Sequence, residues 1–230
     1  MHNVSLVLLV YNKLDVIEEV VRGFYVEVIK KLPKGFEFIV VEDGSTDGTK
    51  WVLDRLKDEL PLTLVQSDER KGYMKAMKDG LKSSQNEIVF QSDADGEHNP
   101  KDFWKLYKYI DDCDMVVGYK MDRKPFYRLV VSRVNNYLMG LLFGVWLKDA
   151  NCGFRLIRKE VVSDVVDDIG MLKYSANAEM VIRAKIKGYK IVQVPVEHIP
   201  TKSEVFTLKK MPKVIIKEFV SLFKLKKELR

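Results

Sequence analysis

Asp93, Asp95 and Glu97 stand at alternate positions just after a short apolar run, Ile88-Val89-Phe90. Along extended backbone, residues two apart point to the same side. At the end of a buried strand these three carboxylates are therefore expected to converge on one point. Converging acids repel one another unless a cation sits among them, and an all-oxygen shell completed by water suits Mg²⁺ or Mn²⁺. Such an ion can hold a diphosphate and neutralise it as it leaves. The competing reading of Asp93-Ala94-Asp95-Gly96 is a solvated acidic turn.

The elements around this stretch favour the chemical reading. Val4 to Val10 has strand length, and Leu14 to Leu32 has helical spacing that ends at Pro33-Lys34-Gly35. Phe36 to Val41 reads as a second strand, Trp51 to Leu60 as a helix and Leu62 to Val65 as a third strand. A helix follows over Lys71 to Ser84 with Met74, Met77 and Leu81 inward, then the strand at Ile88. Pro100 suits the first turn of another helix, and Met115 to Val117 reads as a fifth strand. Alternation of this kind predicts an α/β fold, a mostly parallel sheet with helices on both faces. Ligands of such sheets sit outside the carboxyl ends of the strands. Tyr11-Asn12, Glu42 to Thr49 and Asp93 to Glu97 all fall at those ends, so one site collects them.

Two common phosphate-binding devices are missing. The turn after the first strand, Tyr11-Asn12-Lys13-Leu14-Asp15, has no glycine, which excludes a dinucleotide-binding Gly-x-Gly-x-x-Gly. No Gly-x-x-x-x-Gly-Lys-Ser/Thr occurs either. Phosphates are left to a metal and to side chains.

Val10-Tyr11-Asn12, Glu42-Asp43-Gly44-Ser45-Thr46-Asp47-Gly48-Thr49 and Asp93-Ala94-Asp95 resemble the family 2 glycosyltransferases, which have the Rossmann-like GT-A fold. Pro125-Phe126-Tyr127-Arg128, Ser132-Arg133-Val134-Asn135, Gly153-Phe154-Arg155 and Val194-Pro195-Val196 are similar to dolichol-phosphate mannose synthases and related polyprenyl-phosphate glycosyltransferases. The resemblance covers roughly residues 4–205. It implies that Asp43 accepts hydrogen bonds from the nucleotide base, that Tyr11 and Asn12 line base and ribose, and that Ala94 lies on the nucleotide. It also implies that Asp93, Asp95 and Glu97 hold Mg²⁺ or Mn²⁺, with Asp95 counted as catalytic. Arg128 and Ser132 would bind the acceptor lipid's phosphate, with Lys120 where relatives often have arginine. Two departures stand out: Lys13 where relatives usually have glutamate, and Pro200-Thr201-Lys202-Ser203 where they carry an Arg-rich loop. Lys202 replaces the arginine there only as a point charge, without a bidentate grip.

Other residues carry two readings each. Asp43 is alternatively a turn residue or helix cap, and Asp47 is expected to cap the helix that starts near Thr49. Glu179, in Ala178-Glu179-Met180, is either an acid facing the site or a solvated helical charge. Asp149 either faces the acceptor or serves a turn, and His98 and His198 are weaker metal candidates. Cys152 is expected to be a packed small residue. Leu129 to Trp146 reads as a buried core helix, with a lipid-touching surface helix as the alternative.

The chain carries 39 Lys/Arg and 33 Asp/Glu among 230 residues. Eight of the basic residues and two of the acids lie in residues 207–230, which leaves 31 of each sign in residues 1–206. A nucleic-acid binder more often spreads its charge over a folded face, so no nucleic-acid partner is expected. Residues 1–206 are taken as the transferase domain and residues 207–230 as a basic amphipathic helix. At about 100° per residue, its Ile215, Phe219 and Leu222 share one face, opposite Lys213, Lys217 and Lys224. Such a helix lies in a membrane interface or packs on its own domain or a partner. Two cysteines, Cys113 and Cys152, suit a reducing compartment. Leu6 to Val10 is too short for a signal peptide's core, and no uninterrupted apolar stretch reaches membrane-spanning length. The expected protein is therefore peripheral on the cytoplasmic face of a membrane. Its expected activity is inverting transfer of a hexose from a nucleotide-sugar to polyprenyl phosphate. Transfer to a glycan or glycolipid hydroxyl is the alternative, with Glu179 or Asp149 as base, and a non-catalytic nucleotide-binding or membrane-scaffold module is the other.

Overall fold

The computed structural model of the protein describes residues 1–120, 126–201 and 211–229; the side chains of 126–131 and 211–215 lie outside that description. Seven strands form one sheet: β1 (Val4–Val10), β2 (Glu37–Glu42), β3 (Thr63–Gln66), β4 (Ile88–Asp93), β5 (Met115–Lys120), β6 (Arg155–Arg158) and β7 (Ile191–Val196). Their order is β3-β2-β1-β4-β6-β5-β7. Every neighbouring pair is parallel except those that β6 makes with β4 and β5. All seven residues of β1 are buried, as expected of a central parallel strand covered on both sides.

Helices α1 (Ile17–Glu27), α2 (Thr49–Glu59), α3 (Tyr73–Ser83) and α4 (Phe103–Tyr107) alternate with the first five strands. The first helix is shorter than its periodicity predicts. Backbone bonds from Val16 and Ile17 to the Lys13 carbonyl close a turn first, which leaves Leu14 exposed. The two faces of the sheet are covered by different helices. Phe24 of α1 packs on Phe90, ring centroids 6.0 Å apart. On the other face α3 lies so close that a Cβ on Gly80 would stand 2.6 Å from side chains of both Val7 and Val41. Gln91 and Asp93 are in register with Val7 and Leu9, so both point to the α3 side.

Further along are α5 (Phe126–Phe143), α6 (Lys159–Val165), α7 (Ala176–Ile186) and α8 (Met211–Glu228). Every residue of α7 from Ala176 to Ala184 is buried, although Asn177, Glu179 and Arg183 are among them. The last helix packs against α5 with Leu222 and Leu225 buried, and its Glu228 pairs with Arg183 at 2.8 Å. Leu222, read as part of a membrane-facing side, thus faces the body of the protein. The side chains of Ile215 and Lys213, invoked with it, lie outside the described residues. No helix among the described residues is long and apolar enough to cross a membrane.

Candidate active site

Strand register brings the polar turns to one edge. Val10 of β1 lies beside Glu42 of β2, and Leu9 beside Asp93 of β4. The next backbone bonds continue the ladder: Asp43 N–H to the Val10 carbonyl at 3.1 Å and Ala94 N–H to the Leu9 carbonyl at 2.9 Å. Tyr11, Asp43 and Asp93-Ala94-Asp95 therefore leave the sheet together, as the sequence predicts.

Asn12 spends its polar groups on this edge. Its N–H donates to Ser45 Oγ and its side-chain oxygen accepts from Thr46 N–H, both at 2.9 Å. It does so at φ 48°, a left-handed geometry that asparagine tolerates better than most residues. Asp47 accepts from the N–H of Thr49 at 3.0 Å and from its hydroxyl at 2.6 Å, so it holds the first helical residue, but the N-cap position expected for it belongs to Gly48. Above the Tyr11 ring, the Arg70 guanidinium stacks 3.9 Å from the centroid.

The start of α3 ties the two ends of the site together. Asp43 is buried, and its carboxylate accepts from the N–H groups of Lys71 at 2.7 Å and Gly72 at 2.9 Å. The next residue, Tyr73, donates its hydroxyl to Asp93 Oδ1 at 2.8 Å. The Tyr73 hydroxyl oxygen in turn accepts from Asn177 Nδ2 at 2.6 Å, and Gln91 Nε2 donates to Asn177 Oδ1 at 2.8 Å. Tyr73 is 38% exposed, but its hydroxyl lies among Asp93, Gln91 and Asn177, and burial followed by the Asp93 charge pushes its pKa well above 10.

Arg155 is fully buried and donates to the carbonyls of Cys152 at 3.0 Å and Asn177 at 2.9 Å. It staples the loop before β6 to the first turn of α7, and burial lowers its pKa. Tyr73, Gln91, Asn177 and Arg155 were not singled out as site residues from the sequence. Gln91 had a legible signal, a polar side chain inside an otherwise apolar strand; Asn177 had none.

Burial, then the neighbouring Asp95 charge, pushes Asp93 up to about 6 from 3.8. Gly153 lies against this carboxylate, since a Cβ there would stand 2.3 Å from Asp93 Oδ2. Gly153→Ala is therefore expected to displace the Asp93 carboxylate from Tyr73 and weaken Mn²⁺ binding roughly 10–100-fold, measured by Mn²⁺ titration. Unchanged Mn²⁺ affinity in that variant would refute the role given to this contact.

The expected three-carboxylate cluster does not form. After β4 the chain bends at Gly96, φ 76°, and Asp95 Oδ1 accepts from the Glu97 N–H at 3.0 Å. Extended alternation ends there, so Glu97 turns elsewhere. Its carboxylate pairs with Lys120 Nζ at 2.6 Å and lies 3.4 Å from His198 Nε2. Among the described residues no group of three His, Cys, Asp or Glu side chains is arranged to hold a metal ion. His98 bridges to His198 through the backbone and stacks on Phe154, centroids 5.0 Å apart. Lys120, expected at the acceptor phosphate, is the partner of Glu97. Ser132 Oγ accepts from Asn136 Nδ2 at 3.3 Å, and Asn136 also donates to the Lys148 carbonyl at 2.6 Å. The turn that carries buried Asp149 is thereby joined to α5. Lys202 and the side chain of Arg128 lie outside the described residues.

Glu179 is a second correction. It neither faces the site nor meets solvent. Its carboxylate accepts from the N–H groups of Gly170 (3.1 Å), Met171 (2.9 Å) and Leu172 (2.7 Å) and from Arg183 Nε (3.0 Å). A helix buried all round has no solvated side for its charges, and the loop before α7 supplies partners instead.

A mostly parallel sheet with these turns at its carboxyl edge is a GT-A-like α/β fold. Glucosyl-3-phosphoglycerate synthase from Mycobacterium tuberculosis, solved in complex with Mn²⁺, uridine diphosphate and phosphoglyceric acid, matches it with a TM-score of 0.76. That match has 17% identity and covers 98% of this chain and 78% of the other. The model of the family described as Glycosyl transferase family 2 matches residues 5–166, and the chain belongs to that family. Among named relatives, polyprenol monophosphomannose synthase of Mycolicibacterium smegmatis is 29% identical over 175 residues, 69% of this chain and 64% of that protein. Dodecaprenyl-phosphate galacturonate synthase of Rhizobium johnstonii is 28% identical over 170 residues, 70% of this chain. The match spans 49% of that relative's length.

Proposed function

We propose that the protein is a metal-dependent, inverting glycosyltransferase that moves a hexose from a UDP- or GDP-sugar to a polyprenyl phosphate. The observation that carries this reading is the Asp93–Asp95 pair at the sheet edge, beside the turn that holds Asp43. Asp93, whose ionisation is opposed by burial and by the Asp95 charge, gains from a cation. Mg²⁺ or Mn²⁺ fits a site of one or two carboxylates completed by substrate phosphates, held here by Asp93 and Asp95. Glu97 would join only by leaving Lys120. When bound, such an ion supplies positive charge to the diphosphate as the glycosidic bond breaks.

In this reading the chain's own groups bind and orient. Asp43, fixed by two backbone N–H groups, presents its remaining acceptor capacity to the base. Tyr11 offers a stacking surface, Asn12 holds the turn beneath the ribose, and Ala94 keeps the space over the nucleotide small. Lys120, Arg128, Ser132 and Lys202 are assigned to the acceptor phosphate. A phosphate is already ionised near neutrality, so it attacks without a general base. The commitment of Glu179 to the backbone supports a phosphate acceptor over a hydroxyl, because it removes the first candidate base. The names of the relatives support a polyprenyl phosphate and, with it, a place on the cytoplasmic face of a membrane.

Thermal shift with UDP- and GDP-sugars in Mn²⁺ tests the donor, since a ligand at 100 times its Kd stabilises by about 2.7 kcal/mol. Labelled-sugar transfer to polyprenyl phosphate tests the acceptor. Stabilisation by a nucleotide-sugar with transfer only to a sugar hydroxyl would overturn the acceptor assignment. No stabilisation by any nucleotide-sugar would overturn the donor assignment as well.

A further inference from the structure

Two neighbouring helices each carry an apolar stripe on the side facing away from the protein. On α8, Ile216, Val220 and Phe223 are 63%, 49% and 57% exposed. At about 100° per residue they fall within about 60° of one another and opposite buried Glu218, Leu222 and Leu225. On α5, Val134, Tyr137 and Leu141 are likewise exposed and lie opposite Asn136, Met139 and Phe143, which are buried. The two helices pack against each other, and Lys226 of α8 sits 5.5 Å above the Phe143 ring of α5. Trp146, just past α5, is exposed and meets Tyr137 edge-on, centroids 5.9 Å apart. Exposed Arg133, Lys217, Lys224 and Lys227 accompany these stripes.

We infer that the α5 and α8 stripes form one surface that seats the protein on an anionic lipid membrane. A face of Trp, Tyr, Phe and aliphatic side chains edged by lysine matches a membrane interface, where amphipathic aromatics settle and basic groups meet lipid phosphates. The charge selects lipid over a second copy. Two such faces meeting symmetrically would gather Lys217, Lys224 and Lys227 of both copies along one seam, whereas an anionic bilayer attracts all three. This seating differs from the one read off the sequence, because Leu222 is already used to hold α8 on the body. It deepens the polyprenyl-phosphate reading, on which it rests. Ser132 lies on the inward side of the same helix, bonded to buried Asn136, so that α5 would carry the membrane on one side and the acceptor phosphate on the other.

The test uses the full chain and flotation on phosphatidylcholine vesicles with and without phosphatidylglycerol, none containing polyprenol. Binding is expected to require phosphatidylglycerol. Lys217→Gln, Lys224→Gln and Lys227→Gln together should weaken it roughly a hundredfold, about fivefold per lysine. Phe223→Ser and, separately, Leu141→Ser should each weaken it roughly tenfold. Trp51→Ser, at an 80% exposed position on α2 beside β3, should leave binding unchanged. All of these positions are exposed, so melting temperatures should stay near that of the parent and report folding. Binding that survives both the lysine and the Phe223 changes overturns the inference. So does a protein that ignores vesicles but forms a dimer that Phe223→Ser dissociates. Transfer to a short-chain polyprenyl phosphate separates the two readings. A chain that floats but does not transfer defeats only the acceptor assignment, and one that transfers but never floats defeats only the membrane surface.

Discussion

Asp93→Asn is expected to lose sugar transfer by 10²-fold or more while melting at a higher temperature than the parent protein in metal-free buffer at neutral pH. The loss follows from removing one of two charges that would bind the cation opposite the leaving diphosphate; deleting one group that stabilises transition-state charge typically costs ~10²–10³ in rate. The gain follows from the raised pKa. An ordinary aspartate ionises near 3.8, and Asp93 in the folded protein holds its proton to about 6. Between those values the folded state binds more protons than the unfolded one, so stability falls as pH rises. Above about 6 the full cost is present, on the order of 3 kcal/mol. Asparagine keeps an acceptor for the Tyr73 hydroxyl and removes that cost, worth roughly 6–12 °C in a chain of this size. Melting curves in EDTA across the window from about 4 to about 7 check the sign: the parent should fall and the variant stay level. Added Mn²⁺ should stabilise the parent and not the variant. A variant that melts below the parent at every pH, or that retains metal-dependent transfer, would sink this account of the site. Asp95→Ala is expected to share the loss of transfer, including at saturating Mn²⁺.

Glu179→Ala carries the largest expected effect on stability. The change would leave three backbone N–H groups and the buried Arg183 guanidinium short of their acceptor. Removing one partner of a buried pair costs about 3–5 kcal/mol, and each orphaned donor adds to that. Against a total stability of about 5–15 kcal/mol, the alanine protein is expected to be largely unfolded near physiological temperature. Glu179→Gln separates structure from catalysis, because it keeps one oxygen for the loop and gives up the charge. Its melting temperature should fall, yet at low temperature, where it remains folded, kcat should stay within a few-fold of the parent. A glutamine protein with full stability and a kcat down by the ~10²–10⁴ typical of a lost general base would restore Glu179 to the chemistry.

Much of the fold and part of the site were legible in the residues themselves. The first five strands follow from continuous apolar runs punctuated by polar turns, and the parallel sheet from their alternation with helices. Tyr11, Asp43 and Asp93 could be placed at one edge because parallel neighbouring strands end on the same side. That conclusion needs only local pattern and the geometry of the sheet. The bond of Asp47 to Thr49 at the start of the next helix was readable for the same reason, its partner being two residues away, whereas its bond from the Leu14 N–H was not. β6 and β7 escaped the reading: β6 is four residues long and antiparallel to both of its neighbours, so a pattern of alternating parallel strands does not announce it.

What the tertiary structure alone decided is the direction of side chains whose partners are distant in the chain. Glu97 fits the alternation of Asp93 and Asp95 on paper, but the bend at Gly96 and the ammonium of Lys120 turn it away. Glu179 has the spacing of a surface charge, yet α7 is enclosed on every side and the loop 170–172 takes its carboxylate. On α8 the sequence offers more apolar positions than one face can hold, and only the packing of Leu222 and Leu225 against the body settles which remain outside. Local periodicity determines which residues share a face. Which face is buried depends on long-range packing, where a few kilocalories per mole of burial or ion pairing outweigh any preference along the chain.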